Sequence, residues 1–340
     1  MELSVREAGE GDREAWDHAV AASPNGTLFH TWEFLRIAEK YTGDRLIPLL
    51  LSDGQSPAAV FPVYLERRPM ARIAFSPPPR TMLLYLGPAI VAYDRMYQSK
   101  KESVYNEVVR KADSYLKEKA RANYIKVRTS PGIADCRAYS WAGYSVEPFS
   151  TYTFDLSDMD ALWESFDSDL RRGIEKTEKE GVSFRPGGKE DYDYLISSLE
   201  RRFSEQGLST STYKGYFDDI YSACSPEGIK VFAGDYEGGI VTGLIHACFR
   251  DRMSAWIGIP KTNIKGVYPN YLVLWESMCW AADKGYSTYE IMDAGDIERL
   301  KDFKAKYNPD LTPWFSAEKY SSGVYRLGKG LKEAFNKIHK

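Results

Sequence analysis

The residues best placed by type and spacing to do chemistry lie in two short cationic segments. One is Ser168-Asp169-Leu170-Arg171-Arg172-Gly173-Ile174-Glu175-Lys176, and the other is Leu300-Lys301-Asp302-Phe303-Lys304-Ala305-Lys306-Tyr307. Each puts fixed positive charge on a short amphipathic helix. The second follows a strand-like run that ends near two carboxylates, Asp293 and Asp296. Cations held at a strand end are suited to gripping phosphate or stabilising an oxyanion. A carboxylate within hydrogen-bond reach of an amine can act as its general base. Bland readings compete with each of these. Lys304 beside Asp302 and Lys301 can be a solvated helix charge, and Asp296, just before Ile297, suits a helix N-cap. Arg171 is spaced to pair with Glu175, whereas Arg172 and Lys176, also four apart, repel unless an anion lies between them.

The chain that must position these residues has 340 amino acids, 43% hydrophobic and 27% charged, with a formal net charge of -3. That length points to two domains, and the near-neutral charge leaves any anionic ligand to a local patch. The N-terminal residues lack the apolar core of a signal peptide. No run approaches the roughly 18 apolar residues of a membrane span, so a cytoplasmic protein is expected. Cys136, Cys224, Cys248 and Cys279 never form a CxxC pair, and His18, His30, His246 and His339 are equally scattered. Reduced thiols and no metal site are the expectation.

Periodicity predicts helices over Asp12–Ala22, Trp32–Tyr41 and Lys101–Arg121 in the first half. Strands are predicted at Leu46–Ser52, Ala58–Leu65, Thr81–Leu86, Tyr124–Val127 and Tyr144–Asp155. In the second half helices are expected at Met159–Phe166, Ser168–Glu180, Glu190–Gln206, Thr212–Ala223, Tyr271–Lys284 and Ile297–Lys306. The strands there are Ile229–Ala233, Gly239–Phe249, Met253–Ile257, Thr288–Met292 and Trp314–Ala317. Helices, an antiparallel meander, a long helix and a further strand thus occur twice. The class is α+β, with mostly antiparallel mixed sheets flanked by helices. Boundaries are set at 1–150, 151–325 and a basic C-terminal helix over 326–340, whose cations can solubilise a tail or meet phosphates.

This repeated order resembles two tandem GNAT acyltransferase folds, the arrangement of FemAB-like transferases, and four motifs carry the resemblance. Pro24-Asn25-Gly26-Thr27-Leu28-Phe29-His30-Thr31-Trp32-Glu33-Phe34 is similar to that family's N-terminal signature. Asp169–Lys176 followed by Glu180-Gly181-Val182 looks like its basic helix. Tyr268-Pro269-Asn270-Tyr271-Leu272-Val273-Leu274-Trp275 resembles the start of its long helix, and Leu300–Tyr307 its Phe-Lys segment. The resemblance implies an N-acyltransferase that moves an aminoacyl group from aminoacyl-tRNA to an amine of a cell-wall peptide precursor, with no metal or redox cofactor. The first domain would serve acceptor binding and the second catalysis.

The same resemblance implies catalytic roles for Phe303 and Lys304, with Asp293 as a candidate base. Trp32, Arg36, Arg172, Lys176, Arg202, Tyr213, Tyr268 and Asn270 are the expected substrate contacts, the acceptor being a peptide or nucleotide-sugar-linked molecule. Two departures bear on the donor. The segment Lys261–Asn270 keeps Gly266 alone of the glycine-rich loop by which acyl-CoA enzymes cradle pyrophosphate, and Pro269 removes an N–H. The stretch from Glu180 to Ile229 leaves no room for the helical arm of longer members. Two alternatives stay open: an acyl-CoA-dependent N-acetyltransferase, and a catalytically silent ligand-binding module of the same fold.

Overall fold

In a computed structural model of the chain, residues 2–205, 215–258, 264–293, 295 and 297–321 are described. They fall into two compact units. The first comprises Met1–Phe149 together with the segment that returns from Pro313, and the second is Ser150–Thr312.

In the first unit the order is β1 (Ser4–Glu7), α1 (Arg13–Ala21), α2 (Trp32–Thr42), β2 (Arg45–Asp53), β3 (Ser56–Arg68), β4 (Ala71–Ser76), β5 (Ala89–Ile90), α3 (Gln98–Glu118), β6 (Tyr124–Arg128) and α4 (Arg137–Trp141). Strand β7 (Ser145–Asp155) crosses into the second unit, which continues with α5 (Met159–Ser165), α6 (Ser168–Lys179), β8 (Ser183–Pro186), α7 (Lys189–Glu205), α8 (Tyr216–Cys224), β9 (Ile229–Tyr236), β10 (Gly239–Phe249), β11 (Arg252–Gly258), α9 (Pro269–Asp283), β12 (Thr288–Glu290) and α10 (Glu298–Ala305). Strand β13 (Asp310–Tyr320) ends the described chain.

The two sheets repeat one plan. In the first, strands run β1-β2-β3-β4-β6-β13, and every pair is antiparallel except β4 with β6. In the second, the order is β8-β9-β10-β11-β12-β7, again antiparallel except for β11 with β12. A parallel neighbour needs a crossover, and a long helix supplies it each time: α3 between β4 and β6, and α9 between β11 and β12. Helix α3 buries Val104, Val108, Ala112 and Leu116 against Ile47, Leu49, Phe61 and Ile125 of its sheet. Helix α9 buries Leu272, Val273, Met278 and Ala281 beside Phe232, Met253 and Tyr289. Apolar surface removed from water contributes about 25 cal/mol per Å2, so both seams stabilise their units.

Some expectations are corrected. Residues Thr81–Leu86 form no strand, only an isolated bridge from Leu86 to Thr129, and the third strand of the meander is β4, beyond a hairpin tip at Pro69 and Met70. The four-residue β8 was not expected. Residues Pro313–Ser321 group with the first unit rather than the second, because Ser316–Tyr320 pair with β6. The expected basic helix over 326–340 lies outside the described residues. Among the described residues no helix is long and apolar enough to cross a membrane.

Candidate active site

Strands β11 and β12 pair only from Arg252↔Thr288 to Ser254↔Glu290. Beyond that register β11 runs on to Gly258, while the segment after β12 leaves the ladder through Ile291, Met292 and Asp293. Met292 has φ +36, a left-handed backbone that a side chain rarely adopts, and the bend turns three successive carbonyls inward. Lys304 of α10 fills the cup. Its Nζ donates to Ile291 O at 2.6 Å, Met292 O at 2.8 Å and Asp293 O at 3.2 Å. All of the ammonium's donors are therefore taken by backbone. It also lies 5.8 Å from the Tyr152 ring centroid. Burial pulls the Lys304 ammonium down to about 8, opposed by the charges of Asp293 and Glu290.

Two carboxylates attend this cation and differ in access. Glu290 is fully buried, where Thr151 Oγ1 donates to it at 2.7 Å and Ser254 Oγ at 2.8 Å. Asp293 is half-buried, and its Oδ1 accepts the Gly295 N–H at 3.0 Å. Together with burial, its charge holds the Tyr152 phenol above its ordinary range, so Tyr152 stays protonated. On the other face of β12, Tyr289 shares short hydrogen bonds of 2.6 Å each with His246 and Ser277. That network is core, and burial pushes His246 down to about 3, so the imidazole is neutral there.

Beside the cup stands a pile of aromatic rings. Phe303 stacks on Tyr271 at 5.5 Å, Tyr271 stacks on Tyr268 at 5.1 Å, and Tyr268 is 46% exposed at the open end. Gly173 of α6 is the reason the pile fits, since a Cβ there would come within 3.1 Å of Tyr271 Cδ2. Lys176 of the same helix reaches the opposite wall, where a Cβ on Gly266 would meet its Nζ at 2.9 Å. Thr177 Oγ1 accepts the Tyr268 N–H at 2.9 Å, and the Val267 and Tyr271 N–H groups go to Ile264 O and Tyr268 O. With Pro269 at the first helical position, most of the N–H groups at the start of α9 are thus satisfied internally.

Residues 164–305 match the model of the Acetyltransferase (GNAT) domain. This interval spans nearly all of the second unit, and the sheet plan of that unit recurs in the first. The chain has a tandem GNAT fold. Among solved structures it is similar to FemX, with a TM-score of 0.69 and 14% identity over 92% of this chain and 96% of that one. A tandem GNAT protein from the clavulanic acid biosynthesis pathway aligns with a TM-score of 0.56 and 10% identity, over 94% of this chain and 99% of its own. L-PGS from Bacillus licheniformis gives 0.55 and 14%, with 95% of each chain covered. At such identities the likeness is one of fold. No curated protein matches the sequence.

Within this tandem GNAT fold the expected site residues divide. Lys304, Phe303, Asp293, Tyr268 and Lys176 gather around the β11–β12 parting and the start of α9. Asn270 joins them, its Oδ1 accepting from Thr242 Oγ1. Arg172 is exposed and ion-paired with Asp169, not with an anion shared with Lys176. Arg171 pairs with Glu164 at 2.6 Å instead of Glu175. Arg202 of α7 is half-buried, and burial together with the nearby Arg299 guanidinium lowers its pKa. In the first unit Trp32 is 2% exposed and gives its indole N–H to Glu10 at 3.1 Å, so its ring is core. Arg36 is exposed and pairs with Glu10 and Glu39. Tyr213 and Asp296 lie outside the described residues. Among the described residues no group of His, Cys, Asp and Glu is arranged to hold a metal ion.

Sequence reasoning missed Glu290 and Tyr152. Both sit within strand-like runs, and nothing local marks either as facing a lysine.

Proposed function

We propose that the chain is a cytoplasmic N-acyltransferase that moves an aminoacyl group from aminoacyl-tRNA onto an amine of a cell-wall peptide precursor. The observation that carries this reading is the Asp293–Lys304 pair at the parting of β11 and β12. A half-buried carboxylate stands there beside a half-buried cation whose donors are already engaged.

In this reading Asp293 takes a proton from the acceptor amine. The nitrogen attacks the ester carbonyl carbon, the C–N bond forms and the carbonyl oxygen becomes an oxyanion. Lys304 opposes that charge as a fixed positive centre, in a half-buried site where its field is screened less than in bulk water. Collapse breaks the ester C–O bond, and the proton on Asp293 passes to the leaving oxygen. Tyr268, at the open end of the ring pile, offers its outer face to the donor's terminal nucleotide. The first unit contributes acceptor binding.

The donor assignment rests on the start of α9. Its Val267, Tyr268 and Tyr271 N–H groups are spent on internal partners, and Pro269 has none, so the segment offers little to a pyrophosphate. A second reading, an acyl-CoA donor, is favoured by the match to the acetyltransferase domain model.

The test supplies labelled aminoacyl-tRNA or acetyl-CoA with an amine-bearing peptide precursor and follows amide formation. The proposal expects transfer from aminoacyl-tRNA and a loss of about 100-fold or more in Asp293→Asn, the usual scale of a general base. Transfer from acetyl-CoA alone selects the second reading. Turnover with neither donor, alongside measurable ligand binding, leaves a silent binding module and sinks both.

A further inference from the structure

The surface of the first unit has an open cavity of about 480 Å3, lined by Lys117, Arg121, Ala122, Asn123, Lys319, Tyr320 and Ser321. Three of these are cations, and no carboxylate is among them. Asp113 lies behind, and its two oxygens already accept from Lys117 at 2.7 Å, Lys319 at 3.0 Å and Tyr144 at 2.9 Å. One buried carboxylate therefore serves two ammonium groups. Arg121 is exposed at φ +55 and has no ion-pair partner among the described residues.

More positive charge stands at the rim. Arg72 binds Ala120 O at 3.1 Å, and its N–H goes to Asn123 Oδ1 at 2.8 Å. Directly opposite Arg72 in the β3–β4 ladder is Arg67, on the same face of the sheet. Like charges facing each other across an antiparallel pair are destabilising. Arg67 has no ion-pair partner among the described residues, whereas the neighbouring Arg68 pairs with Glu66. Against these five cations stand Asp113, already shared by Lys117 and Lys319, and the chain neighbours Glu118 and Glu318, the latter engaged by Tyr124 and Lys126. Burial and the facing Lys117 hold the Lys319 ammonium below its ordinary range, a cost that a bound anion would relieve.

We propose that this cavity binds a phosphate group. It is open to solvent, so a ligand there would be held by charge rather than by enclosure. Lys319 gives its N–H groups to Asp113 and Ala142 O, which leaves the Lys117 ammonium and the Arg121 guanidinium to meet a phosphate monoester or diester. The shared chemistry leaves two sources, a free phosphate compound or a lipid headgroup, which the experiment separates.

Calorimetry on the full chain at low ionic strength would follow glycerol 3-phosphate and inorganic phosphate. Co-sedimentation would follow phosphatidylcholine vesicles with and without phosphatidylglycerol. The reporter variant is Arg67→Gln with Arg121→Asn, since asparagine tolerates the left-handed backbone at Arg121. Circular dichroism is expected to be unchanged in it. Soluble phosphate binding that weakens at least about tenfold in the variant, and falls as salt is added, supports a free-ligand site. Vesicle binding that needs phosphatidylglycerol and is lost in the variant supports a headgroup site. No binding in either arm, or binding that the variant leaves intact, overturns the proposal.

Discussion

Replacing Lys304 with methionine keeps the stem and removes the ammonium, so it isolates what the three-carbonyl cup is worth. Two opposing effects meet there. Burial pulls the ammonium down to about 8, which at about 1.36 kcal/mol per pH unit disfavours the charged form by about 3 kcal/mol. Against that, hydrogen bonds from a charged donor contribute about 1.5–3 kcal/mol each, and a buried carbonyl left alone costs about 1–3 kcal/mol. Three such bonds outweigh the burial cost, discounted because the side chain is only half-buried. At pH 7 the Lys304→Met protein is therefore expected to be about 2 kcal/mol less stable in urea denaturation.

The pH dependence has a definite sign. Because the folded pKa lies below the unfolded one, the unfolded chain binds more protons between about pH 8 and 10.5, and the stability of the wild type rises through that window. The methionine variant lacks this rise, so the gap between the two should widen by up to about 3 kcal/mol. A gap that stays constant from pH 7 to 10 would refute the buried-cation argument. No gap at pH 7 would refute the cup.

The remaining expectations concern other parts of the second unit. Thr177→Val preserves shape but leaves the Tyr268 N–H without its acceptor, and should cost about 1–3 kcal/mol in chemical denaturation; an unchanged midpoint would count against it. Gly243→Ala would place a Cβ 2.7 Å from the backbone oxygen of Phe232, which cannot swing aside as Leu195 can. A loss of about 1–3 kcal/mol by thermal melting is expected. Tyr268→Ala removes the exposed end of the ring stack and should raise the donor KM severalfold, up to about tenfold for roughly 1.4 kcal/mol, with the melting temperature unmoved. If KM for the acceptor moves instead, the stack has been assigned to the wrong substrate.

What could be read from the chain was what its local periodicity records. Helices α3 and α9 announce themselves by one apolar face, and the β9–β10 turn by Glu237 and Gly238, both of which adopt positive φ. Strand β4 escaped because Pro69-Met70 gives no familiar hairpin signal, and β8 because four residues carry too little alternation. The site was legible only in part. Lys304 and Asp293 stood out as charged residues around a strand end, but Met292 gives no sign in advance of the backbone bend that makes the cup. Glu290 looks like any strand glutamate, since its partners Thr151 and Ser254 stand 139 and 36 positions away. Arg171 illustrates the opposite failure, in which a correct local rule loses to Glu164, a residue outside the helix that reaches it first.

The sheet order has a consequence for how the polypeptide can be divided. Strand β7 follows the first meander in the sequence but gives Thr153–Asp155 to β12, and β13 follows the second meander but gives Ser316–Tyr320 to β6. Each half thus completes the other's ladder, and the first sheet lacks its last strand until the second meander has been made and Ser316–Tyr320 has emerged after it. Cutting the gene near residue 150 would separate Ser316–Tyr320 from β6, leaving that strand as a raw edge ready to stack on other chains. A workable split protein would have to carry the β13 segment back to the first fragment.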